Sequence, residues 1–208
     1  MKKYIFLPIL AAFLFIIFFF NEGHKPKLVV FIVLDQATPD IIKKYDHLFT
    51  GGLRWLIDHG INFDSTYHEH GNTLTGPGYY SLASGLFPGS GGVLANTWFD
   101  RNINRKWYCV EDTLSYELSD STTGRSYKNI NNTALGDWLV NTYPNSKVVS
   151  ISGKDRGAVF LGGKAPKIAL WDDRTGGYTT SSYYSLSLPE WVTRFNQNMN
   201  VDTYLDST

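Results

Sequence analysis

Thr75 lies in Thr75-Gly76-Pro77-Gly78, where a helix is expected to begin at Pro77, because the ring of proline is preset for a first helical turn. Its hydroxyl would then sit at a helix N-terminus, where unpaired N–H groups and the helix dipole favour an anion. A threonine hydroxyl is a weak nucleophile at neutral pH, and a divalent cation would turn it into a competent alkoxide. The plainer alternative is a threonine that only caps the helix. Asp35 closes the apolar run of residues 28–34. A carboxylate at the end of a buried strand must be hydrogen-bonded, paired or metal-bound, or else cap the following turn. The Asn96 amide can donate to a phosphoryl oxygen, or serve as a turn residue. Lys154 and Arg156 flank Asp155: an arginine fork matches two phosphate oxygens and a lysine adds a point charge, and the alternative is a solvated basic turn. His68-Glu69-His70 would put two imidazoles on one face of an extended segment, but without further partners it reads first as a polar loop beside the site.

The elements that must hold these residues follow from periodicity. Residues 28–34 are continuously apolar, the pattern of a strand buried on both faces. Thr38-Pro39-Asp40 forms an N-cap, a proline at the first helical position and an acidic first turn, predicting a helix to about His47. Gly51 and Gly52 separate it from a helix over 53–59, closed by Gly60. Residues 61–67 and 105–110 read as strands. A helix over 133–143 stops at Pro144; strands follow at 147–152 and 167–171; residues 178–184 are β-rich, and 189–198 is helical with Trp191 and Phe195 on one face. Strands alternating with helices predict an α/β layered fold with a mostly parallel central sheet. Such sheets gather functional groups at the carboxyl ends of their strands, so Asp35 and the Lys154–Arg156 turn are expected to share a crevice.

With 208 residues the chain can form one domain with a sizeable core, and its formal net charge of zero leaves no basic stripe for a nucleic-acid partner. One cysteine, Cys109, excludes an intrachain disulfide and a thiolate zinc knuckle; within its strand it reads as a small buried apolar residue. Lys2 and Lys3 precede an apolar run over residues 4–20. Residues 1–23 are therefore expected to be a signal peptide or an uncleaved membrane anchor, which places the remainder outside the cytoplasm, periplasmic or extracellular.

Four segments recur in one order: Val33-Leu34-Asp35-Gln36; Thr75 through Gly85; Pro88-Gly89-Ser90-Gly91-Gly92 with Asn96 through Asp100; and Ser152 through Arg156. Together they resemble the type I phosphodiesterase/nucleotide pyrophosphatase group of the alkaline phosphatase superfamily, nearest its bacterial periplasmic alkaline phosphatases with a threonine nucleophile. Later segments at Trp171-Asp172-Asp173, Thr175 to Tyr178, Ser182 to Tyr184 and Leu188 to Val192 are also similar, so the resemblance runs over residues 28–208.

The resemblance implies an alkaline phosphatase-like layered sandwich acting on a small phosphate-ester substrate. Asp35 and Thr75 would ligate one Zn2+ of a two-zinc site, and Thr75 would form a phosphothreonine that water hydrolyses. Asn96, Lys154 and Arg156 would hold the phosphoryl oxygens. The Lys-x-Arg pair goes with the monoesterases of the group and is lacking in its diesterases. Two departures stand out. Tyr79 replaces a frequent histidine, and all five histidines fall at or before His70, so the later Asp-x-x-x-His, Asp-His and histidine ligands have no counterpart. Residues 24–208 are thus expected to be the N-terminal part of the catalytic domain, incomplete at its C-terminus. A phosphodiesterase, or a non-catalytic membrane-anchored remnant, are the alternatives.

Overall fold

The computed structural model describes residues 26–63 and 65–199. The expected leader, residues 1–23, lies outside them; among the described residues no helix is long and apolar enough to cross a membrane. The chain divides after Gly60 into two units.

In the first unit, helix α1 (Pro39–Lys44) starts as its sequence dictates. Thr38 caps it, accepting from the Ile41 N–H at 3.4 Å, and Pro39 opens its first turn. The helix expected to reach His47 breaks at Tyr45 into a 3-10 turn, Asp46–Leu48. Helix α2 (Gly51–His59) absorbs the two glycines expected to precede it, and Gly51 opens it at a φ of 61°, which glycine alone adopts without strain. The apolar run 28–34 does not form the expected strand. It joins no sheet, and Leu28 is 78% exposed. A strand buried on both faces needs hydrogen-bonded neighbours and covering layers, and no described strand pairs with this run.

Residues 61–63 and 65–67, in the second unit, also form no strand. There helix α3 (Thr75–Ser84) is followed by the short α4 (Pro88–Gly91) and two antiparallel ribbons. The first pairs β1 (Thr97–Asp100) with β2 (Arg105–Tyr108); the second pairs β3 (Glu111–Tyr116) with β4 (Thr123–Arg125). After α5 (Leu135–Thr142) comes a β-α-β unit: β5 (Val149–Ser152), helix α6 (Asp155–Gly162) and β6 (Ile168–Asp172). Strands β5 and β6 are parallel, with Val149 opposite Ile168 and Ser152 opposite Trp171. Two parallel strands require a crossover, and α6 supplies it. Strand β7 (Tyr178–Thr179) pairs antiparallel on the other side of β6, and α7 (Glu190–Asn198) follows. The layered α/β fold is thus present, with a parallel β5–β6 pair and an antiparallel edge.

The core lies between α3, α6 and the sheet. Tyr80, Tyr127 and Phe160 are fully buried, and Phe160 meets both tyrosine rings edge-on at 6.2 and 6.0 Å. Such contacts add about 0.5–1.5 kcal/mol each beyond area burial. Leu170 and Ile168 pack with Val192 of α7. Asp137, also buried, replaces missing backbone partners: its carboxylate accepts from the N–H groups of Ala134, Lys164 and Ala165 at 2.9 Å each. It thereby fastens the start of α5 to the loop after α6.

Candidate active site

Thr75 does not cap α3. The helix begins two residues earlier than expected, Leu74 occupies the cap position, and Thr75 is the first of ten helical residues. The half-buried Thr75 hydroxyl makes no hydrogen bond to the described residues, so the reading as a capping threonine fails and the oxygen is left for other chemistry. The Gly76 N–H donates to Asn96 Oδ1 at 2.7 Å. That bond holds the Asn96 oxygen and leaves the two amide N–H groups as donors. A Cβ on Gly76 would lie 3.1 Å from that oxygen and 3.2 Å from Cys109 Sγ, so glycine permits the approach.

Cys109 is buried beneath this turn, as its sequence suggested. Burial, with the nearby Asp155 adding, pushes its thiol up to about 12. It stays protonated and unreactive, and is no candidate nucleophile.

Arg156 does not sit in a solvated turn but is half-buried in a helix, while Lys154 stays exposed just before it. Lys154 is the N-cap of α6, and Asp155 and Arg156 form its first turn. The Asp155 carboxylate collects three donors: the Tyr108 hydroxyl at 2.5 Å, Arg125 Nε at 2.7 Å and the Arg156 N–H at 2.7 Å. Arg156 Nη1 in turn donates to the Tyr108 oxygen at 2.8 Å. Burial, then Asp155, drives the Tyr108 phenol far above its ordinary range, so it remains a donor to Asp155 while its lone pair accepts from Arg156. Arg125 is also paired with Glu117 at 3.2 Å. Arg156 is thereby fixed in direction without being consumed: among the described residues its buried Nε has no hydrogen-bond partner and remains a donor.

A cavity of about 570 Å³ opens where β5 and β6 end, at the carboxyl edge of the parallel pair, where α/β sheets hold ligands. Lys154, Asp155, Arg156, Tyr108, Arg125 and Trp171 are among its walls. Thr75 and Asn96 are not. Close packing joins the two groups, because Gly157 of α6 lets Ser152 and the Tyr79 ring approach. Tyr108, Arg125 and Glu117 escaped the sequence reading; the one available signal was an acid wedged between two cations at Lys154-Asp155-Arg156.

Asp35 belongs to the first unit, in an exposed turn with Gln36 at a φ of 60°. Among the described residues no group of three or more His, Cys, Asp or Glu side chains could hold a metal ion. Catalytic and structural zinc centres take three or four protein donors, so the described residues do not make up the zinc centre implied by Asp35 and Thr75.

Over residues 29–208 the chain matches the family "Type I phosphodiesterase / nucleotide pyrophosphatase", and it belongs to that family. It is similar to alkaline phosphatase PhoV of Synechococcus elongatus, 38% identical over 187 residues that make up 88% of this chain and 34% of that protein. Alkaline phosphatase PafA of Elizabethkingia meningoseptica is 34% identical over 191 residues, 89% of this chain and 35% of the relative. The crystal structure of wild-type alkaline phosphatase PafA superposes with a TM-score of 0.80 at 29% identity, covering 90% of this chain and 40% of that one. A PafA variant with a threonine, an asparagine, a lysine and an arginine substituted superposes equally well. The chain spans about a third of the length of the curated relatives it matches.

Proposed function

We propose that these residues form the nucleophile and phosphate-binding half of a phosphate monoester hydrolase. The observation that carries this reading is the Thr75 hydroxyl, without a hydrogen bond to the described residues at the first position of a ten-residue helix, beside an Asn96 amide whose oxygen accepts from the Gly76 N–H. In the proposed reaction Thr75 Oγ1 bonds to phosphorus while the bond from phosphorus to the leaving oxygen breaks, and the hydroxyl proton is carried off by the departing alcohol. Water then hydrolyses the phosphothreonine. The first turn of α3 favours the anion forming on the hydroxyl, and Asn96, Lys154 and Arg156 hold the non-bridging oxygens as charge shifts onto them.

The alkaline phosphatases among the relatives support the reading, as does the PafA variant. Its four substituted residue types come in the order of Thr75, Asn96, Lys154 and Arg156, the last two again separated by one residue. Asp35 stays in the proposal as a carboxylate for a divalent cation on its Val33-Leu34-Asp35 motif alone, and no step is routed through that ion because the donor set is incomplete. The family description favours a second reading, phosphodiester cleavage. Export to the periplasm or cell surface, with residues 4–20 as signal or anchor, completes the proposal.

The test is hydrolysis of an aryl phosphate monoester and the matching diester by a version of the protein that carries a full set of metal ligands, with zinc supplied. Thr75→Ala is expected to lower monoester turnover by about 10³-fold or more with an unchanged circular dichroism spectrum, and Arg156→Ala to hurt the monoester far more than the diester. Turnover retained by Thr75→Ala would remove the nucleophile. Equal losses on both esters for Arg156→Ala would favour the diesterase.

A further inference from the structure

The His68-Glu69-His70 segment takes no part in the proposed phosphate site, yet its two imidazoles meet. Their ring centroids lie 5.1 Å apart with the planes inclined at 60°. His70 Nδ1 is 3.0 Å from the Asn72 carbonyl oxygen. A carbonyl only accepts, so Nδ1 carries the proton and, in the neutral ring, Nε2 carries the bare lone pair. That Nε2 is buried and has no hydrogen-bond partner among the described residues. A buried acceptor left bare costs about 1–3 kcal/mol, so the arrangement begs for a Lewis acid or a donor. An Nδ1–H anchored on a backbone carbonyl with Nε2 free is how proteins orient a metal-binding histidine. The spacing fits as well. A zinc–nitrogen bond of about 2.0–2.1 Å puts the metal about 3.2 Å from each ring centroid, so two ligands at the tetrahedral angle have centroids about 5.2 Å apart. No hydrogen bond to the described residues engages His68, which is exposed and leaves an approach from solvent.

We infer that His68 and His70 form a two-histidine site for a borderline transition-metal ion, Zn2+ or Cu2+, with water in the remaining positions. Two protein donors make an exchangeable site, weaker than a closed structural centre, and the affinity should follow the usual order with Cu2+ above Zn2+. The site uses neither Asp35 nor Thr75 and does not depend on the hydrolase reading.

Calorimetric titration of the full, tag-free chain in detergent with ZnCl2, then with CuCl2, tests it. One binding event is expected to survive Asp35→Ala and Thr75→Ala and to weaken about ten-fold or more in His68→Ala and in His70→Ala. Because His70→Ala could disturb the loop, electron paramagnetic resonance of the Cu2+-loaded wild-type chain provides a second measure, with coupling to two imidazole nitrogens expected. The inference is overturned by an absence of binding, by binding unchanged in the His68→Ala, His70→Ala double variant, or by a spectrum showing fewer than two imidazoles.

Discussion

Residues 28–35 and residues 168–172 are both short apolar runs that end in an aspartate, yet they have opposite fates. Ile168 to Trp171 is buried throughout, in a strand flanked by β5 on one side and β7 on the other, while Leu28 to Leu34 is irregular and largely exposed. Their compositions do not account for this. The second run has a crossover helix to bring its neighbour alongside and a helix, α7, to cover it; the first has no strand partner among the described residues. A buried strand is a property of the neighbours as much as of its own side chains.

The comparison is tested hardest at Leu170. Leu170→Ala should cost about 2–5 kcal/mol in urea unfolding, since it removes buried methyl groups and leaves a cavity. A loss near zero would mean that the sheet is not the packed region it is taken to be. Asp137→Asn should come next, at about 2 kcal/mol by the same measurement, because the amide cannot accept from three N–H groups as the carboxylate does.

A pH effect sharpens the picture of the packed region. Burial alone would raise the Asp112 carboxyl, but hydrogen bonds from the Leu114 N–H and the Lys128 ammonium outweigh it and hold it below the usual carboxylate range. Its stabilisation is therefore complete above the unfolded value, about pH 4, and lost as pH falls through the depressed folded value. Lys128→Met should raise the midpoint of acid unfolding and cost about 1 kcal/mol or less at neutral pH, because the lysine side chain is 37% exposed and screened. Smallest of all should be Val30→Ala, within about 0.5 kcal/mol. A cost approaching that of Leu170→Ala would erase the contrast between the two runs.

The proposed site was drawn from residue types. Thr75, Asn96, Lys154 and Arg156 were marked by what a hydroxyl, an amide, an ammonium and a guanidinium can do near phosphate. Helix α1 followed from its Thr-Pro-Asp start, and β5 and β6 from their apolar runs. Helix α6 was missed, because Asp155-Arg156-Gly157-Ala158 opens with charges and a glycine that locally suggest a turn. The glycine is there for contact with Ser152 and Tyr79, which lie far away in sequence or across the strand end. Tyr108 and Arg125 were missed for the same reason: each reaches Asp155 across a long span of chain, and nothing in the local sequence of a tyrosine or an arginine reveals its partner.

The sequence by itself determined the chemical inventory and the local starts and stops, because side-chain chemistry, proline and glycine act over a few residues. Only the tertiary structure decided which apolar run became a strand, that Thr75 leaves its hydroxyl unspent, and that Arg156 is aimed by Tyr108 while its Nε is left bare. Those outcomes depend on hydrogen bonds and burial supplied by distant segments, and such partners are chosen when the chain packs.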